Sequence, residues 1–172
     1  TGYHFVQWSD GVTTAARTEA NVLADLTVTA TFAINTYDVT YVAGSHGTLT
    51  GDATQVVEHG SSSSAVTAVP DEGFQFAYWS DGSVANPRTD VITADLTVEA
   101  IFTIKAYVLI YNTGLNGTVT GNILQTLPHG SDGAPVTAVP DEGYHFVQWS
   151  DGRTDNPRTD TNVQANAIVV AS

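Results

Sequence analysis

Neither cysteine nor methionine occurs in this 172-residue sequence, and lysine occurs once, at Lys105. Without cysteine there are no disulfides, thiol nucleophiles, zinc ribbons or iron–sulfur sites. The scarcity of cations is equally informative. Five Lys+Arg face 18 Asp+Glu, a formal charge of −13, which argues against nucleic-acid backbones and anionic membrane surfaces as partners. No apolar run approaches the roughly 18–20 residues needed to span a bilayer as a helix, so membrane insertion is not expected. No stretch sustains a 3.6-residue apolar period between caps, so long helices are not expected either.

What the sequence has in abundance is β vocabulary. It contains 25 Thr and 21 Val, with 15 Gly and 6 Pro as punctuation. Thr and Val suit a pleated, half-buried surface, while Gly and Pro mark turns. The fold class expected is all-β.

The sequence is also a tandem repeat. Gly2-Tyr3-His4-Phe5-Val6-Gln7-Trp8-Ser9-Asp10-Gly11 returns with changes at 73–82 and unchanged at 143–152. Val66 to Gly73 matches Val136 to Gly143 letter for letter, and Asn86-Pro87-Arg88-Thr89-Asp90 matches Asn156 to Asp160. The period is about 70 residues. Within it, short strands are expected at 37–41, 47–51, 55–58 and 66–69, then an aromatic strand, then a closing strand in which Leu26, Val28, Ala30 and Phe32 share one face. Pro128 places the strand before it at a sheet edge. Tyr37 and Tyr107 each open a new unit. The reading is therefore a complete module at 35–104, a second, complete or nearly so, at 105–172, and the C-terminal half of a module at 1–34. About 34 residues bury too little for an independent core. Either the half-module is an excerpt from a longer array, or another copy completes it.

The aromatic strands, the segments preceding them and the closing Leu96-Thr97-Val98-Glu99-Ala100-Ile101-Phe102 resemble the divergent internalin B-type B-repeats of bacterial surface and secreted proteins. The resemblance covers the whole chain, with departures at Ala15-Ala16, where other copies have Asn-Pro, and at Ala167-Ile168-Val169-Val170, which lacks the closing Phe. It implies small, mostly β, grasp-like modules serving as a stalk or adhesive repeat, and it carries no catalytic residues.

The candidate sites are weighed on that background. Strict alternation puts Phe5 and Trp8 on opposite faces, so a bulge or twist is needed if both are to enter the core. The core expected comprises Phe5, Trp8, Leu26, Val28, Phe32, Phe76, Trp79, Leu96, Val98, Phe102, Phe146 and Trp149. The competing reading exposes Trp79 and Trp149 as stacking platforms for a glycan. Asp81, Asp90, Asp151 and Asp160 are candidate calcium ligands near the loop after the Trp strand, against a plainer role at Asp-Gly turns. The histidines His4, His46, His59, His129 and His145 lack the spacing of a local metal site, and His59-Gly60 and His129-Gly130 read as turns. Arg17, Arg88 and Arg158 recur at one position, each followed by Thr and an acid, which suggests ion pairs holding the long connection before the closing strand. No cofactor and no enzymatic activity are expected. The function expected is a non-catalytic, semi-rigid spacer of an extracellular or cell-surface bacterial protein, its partners being neighbouring repeats or copies of itself. The alternatives are a filament subunit completed by strand addition and an adhesin module for a glycan or host protein.

Overall fold

A computed structural model describes residues 2–172. Among them there is no helix, and 13 strands form five small sheets. The chain divides into two compact units, one of residues 2–69 with 77–101 and the other of 70–76 with 102–172.

In the first unit, β1 (Tyr3–Trp8) pairs antiparallel with β2 (Ala30–Ile34), from Tyr3↔Ile34 to Trp8↔Ala30. The register slips between Phe5 and Gln7. An extra residue in one strand breaks the two-residue alternation, so Phe5 and Trp8 come to lie on one side, ring centroids 5.5 Å apart. β3 (Thr36–Ala43) is the central strand of the unit's main sheet. It runs antiparallel to β5 (Thr54–Glu58) and parallel to β8 (Leu96–Ile104), with Val39 opposite Leu96. β7 (Phe74–Trp79) adds beyond β8, while β4 (Gly47–Thr50) and β6 (Thr67–Pro70) form a separate ribbon. Residues 74–76 and 102–104 belong to the second unit although they continue β7 and β8. The boundary between compact units thus falls inside two strands of one sequence repeat.

The second unit repeats the plan. β9 (Ala106–Thr113) is antiparallel to β11 (Leu124–Pro128) and parallel to β13 (Ala167–Ala171), and β10 (Gly117–Gly121) pairs with β12 (Val136–Pro140). Pro128 lies on β11, an edge strand of its sheet, where its missing N–H costs no ladder bond.

Each unit has an alternating core. Val39, Tyr41, Val66, Ala68, Trp79, Val98 and Ala100 are buried in the first. Leu109, Tyr111, Val136, Ala138, Trp149, Val163, Val169 and Ala171 form that of the second, with Phe146 packed against it. Trp79 and Trp149 expose no surface at all.

Three expectations need correction. Leu26 and Phe32 are 53% and 60% exposed, and Phe5, Trp8 and Val28 only partly buried, because residues 2–34 contribute one strand pair and no second layer to cover it. For the same reason β2 covers only the last part of the closing strand expected at 26–32. The aromatic segment at 144–148 is not a strand. Trp149 makes an isolated bridge to Ala171, and Ser172 exchanges bonds with Gln148; β13 extends no further to support a longer ladder.

Candidate functional site

The best-formed polar cluster in each unit surrounds one arginine. After Trp79 the chain turns sharply. Gly82 adopts φ +88°, its N–H donates to Trp79 O at 2.7 Å, and Ser83 N–H donates to Asp81 Oδ1 at 3.1 Å. The Asp-Gly pair supplies a left-handed position that a side chain would strain, and so presents the Asp81 carboxylate to the following loop. That loop is tied down by Asn86, whose amide accepts from Ala68 N–H and donates to Ala68 O, both at 2.8 Å. Two backbone bonds between Arg88 and Val66 continue the attachment.

Arg88 is 4% exposed. Nη1 and Nη2 donate to the two oxygens of Asp81 at 2.8 and 2.6 Å, and Nε and Nη2 to those of Asp90 at 2.7 and 2.8 Å. Its guanidinium stands 5.4 Å from the Trp79 ring centroid. Tyr41, from the opposite side of the core, donates its hydroxyl to Asp90 Oδ2 at 2.7 Å and lies 2.9 Å from Ser63 Oγ. A planar fork bonded twice to each of two carboxylates is the geometry in which Arg is not replaceable by Lys. It links the Trp-strand turn, the connection before the closing strand and the central strand.

The same cluster recurs in the second unit. Arg158, 2% exposed, bonds Asp151 and Asp160, lies 5.6 Å over Trp149, and Tyr111 donates to Asp160 at 2.7 Å. Asn156 brackets Ala138 as Asn86 brackets Ala68. Arg153, absent from the other copies, adds a bond to Asp160 at 2.6 Å. In residues 2–34 a reduced version survives. Arg17 pairs with Asp10 and Glu19 and lies 5.6 Å over Trp8, but among the described residues no tyrosine hydroxyl joins it.

The electrostatics follow the geometry. Hydrogen bonding from Arg88 holds Asp81 down to about 2 and lowers Asp90 as well. Asp160 is also lowered. Burial, the largest single influence, pushes it up but is outweighed by Arg158, Tyr111 and Arg153 together. Tyr111 is raised, chiefly by burial and then by its bond to Asp160. These carboxylates are ionised in the folded state and held by protein donors.

The calcium reading of Asp81, Asp90, Asp151 and Asp160 is corrected accordingly. Their oxygens face guanidinium groups rather than converging on a cavity, and among the described residues no cluster of three or more His, Asp or Glu could hold a metal ion. The glycan platform is corrected too, since neither indole face of Trp79 or Trp149 reaches solvent. The recurrent arginine could be read from sequence. The roles of Tyr41 and Tyr111 could not, because each lies 49 residues from its carboxylate partner.

Taken together, the structure is that of an all-β tandem-repeat protein whose recurrent polar residues tie each repeat to itself. The comparisons give the family. The model of the divergent InlB B-repeat domain matches at residues 1–36, 37–106 and 107–172, and the chain belongs to that family. The family is associated with bacterial surface proteins, and membership supports reading the chain as a structural repeat region. No curated protein and no solved structure matches it.

Proposed function

We propose that the chain is a non-catalytic spacer, a semi-rigid stalk segment of a protein displayed on or outside a bacterial cell. The observation that carries this reading is the recurrence of the arginine cluster. In both complete repeats the groups best suited to chemistry, two carboxylates, a tyrosine and an arginine, are consumed in holding the repeat together. Short connections such as Ile34-Asn35-Thr36-Tyr37 and Ile104-Lys105-Ala106-Tyr107 support it, since they leave little slack between repeats. The strong negative charge would keep such segments soluble and apart. Small-angle scattering on this chain and on one lengthened by a repeat tests the reading. A spacer gains a constant increment in maximum dimension per repeat, whereas an unchanged dimension would refute it.

A second reading, assembly of filaments by strand addition to residues 2–34, is favoured by one observation. Leu23, Val22, Phe32 and Leu26 are 97%, 61%, 60% and 53% exposed there. Light scattering decides it, since polymers that vanish on deletion of residues 1–34 would support assembly. An adhesin role would need a surface other than the two buried tryptophans.

A further inference from the structure

Gly2 and Gly73 head the first and second aromatic segments, and on each lies a histidine from the repeat that follows. A Cβ at Gly2 would overlap the imidazole of His59, and one at Gly73 would stand 2.5 Å from His129 Cδ2. The backbone bonds around the two are the same, although the Tyr107 hydroxyl lies 3.4 Å from His129 Nδ1 while His59 Nδ1 is buried with no partner among the described residues. Asn35 N–H donates to Gly2 O and His59 N–H to Asn35 O, both at 2.8 Å; Lys105 N–H donates to Gly73 O and His129 N–H to Lys105 O, again at 2.8 Å. A tyrosine flanks each imidazole, Tyr37 at 5.8 Å from His59 and Tyr107 at 5.9 Å from His129 between ring centroids. The first seat lies wholly within the first unit and the second wholly within the second. A β-carbon at either glycine would force the ring to shift from its place.

Two phenylalanines mark each occupied seat. Phe5 meets Phe32 edge-on at 6.0 Å, and Phe76 meets Phe102 at 6.2 Å. The third aromatic segment has the same letters as the first, but nothing lies within 4 Å of the Cβ position of Gly143. Beside it is an open, mainly apolar slot of about 600 Å³, lined by Val139, Pro140, Tyr144, Phe146 and Val170 among others. Phe146 packs inward on Trp149, with no phenylalanine from β13 across from it.

We propose that the Gly143–Phe146 face is an acceptor for one further repeat of this family, presented as a phenylalanine-bearing strand followed by a Tyr–His pair. The incoming phenylalanine enters the slot against Phe146, and the histidine takes the seat on Gly143 that His59 takes on Gly2 and His129 on Gly73. The occupant is identified by continuity, because this surface is an interface the chain already forms twice. The proposal rests on the repeat geometry and not on the spacer reading.

The first test uses the 172-residue protein. Gly73 and Gly143 have nearly the same backbone, φ +80° and +84°, so alanine strains both alike, and the difference between Gly73→Ala and Gly143→Ala isolates the histidine seat. Hydrogen exchange in β9, β11 and β13 is expected to accelerate roughly tenfold or more in the first and much less in the second. Equal effects would overturn the proposal. The second test lengthens the protein by repeating residues 102–172 directly after Ser172, which keeps the register of Ala171 with Ala100. Nuclear Overhauser contacts are expected between Gly143 and the added histidine that corresponds to His129, and Gly143→Ala should remove them and deprotect Tyr144 to Val147. A folded added repeat without those contacts would overturn the proposal, as would self-association of the 172-residue protein through this face.

Discussion

Replacing Arg88 by Met keeps most of the stem's packing and removes the fork. Four charge-assisted bonds are lost, two to each carboxylate, together with the stacking on Trp79. Breaking a buried pair typically costs about 3–5 kcal/mol, because an unpaired charge is left behind. Asp81 is 41% exposed and can rehydrate, whereas the Asp90 carboxylate, 22% exposed, keeps only the Tyr41 hydroxyl. The low end therefore applies, about 3 kcal/mol, or roughly 12–24 °C in Tm for a unit of this size. The loss depends on pH with a definite sign. Both carboxylates are depressed in the folded state, so their contribution is complete above the unfolded value near 3.8 and disappears as pH falls through the folded one, about 2 for Asp81. The gap between wild type and variant should be full at neutral pH and shrink between about pH 4 and pH 2. Hydrogen exchange separates the effect by unit. Amides of β3 and β8 should lose protection, and those of β9 and β13, which have their own arginine, serve as the internal control. A loss below about 1 kcal/mol, or one that does not change with pH, would refute the reasoning.

Trp79→Ala should cost about 3–5 kcal/mol in chemical denaturation as a core cavity, and Phe32→Ala, at 60% exposure, less than about 1 kcal/mol. Asn86→Ala removes the side-chain partner of both the N–H and the C=O of Ala68 and should cost about 2–3 kcal/mol in the same assay. Tyr111→Phe removes one bond to Asp160, which retains Arg158 and Arg153, so a loss of about 1 kcal/mol is expected.

Much of the fold was legible because its information is local or repeated. Alternation marked the strands from Tyr37 to Glu58, Pro128 marked an edge, and the recurrence of Arg88 and Arg158 beside an acid pointed to ion pairs. Trp79 was ambiguous for a physical reason. Alternation alone puts the tryptophan and the phenylalanine three residues before it on opposite faces, and in the first copy it is the register slip between Phe5 and Gln7 that brings Trp8 beside Phe5. The histidines before Gly60 and Gly130 looked like ordinary turn residues, since nothing nearby in sequence announces that their rings rest on glycines more than fifty residues away.

The sequence by itself determined the all-β class, the 70-residue period and which residues recur, all properties of spacing and side-chain type. Tertiary structure alone decided that β3 lies parallel to β8, that Tyr41 reaches Asp90, and that the compact units divide inside β7 and β8 rather than between repeats. Those outcomes depend on contacts closed across 40 to 70 residues, where geometry and desolvation select the partner and no local pattern records the choice.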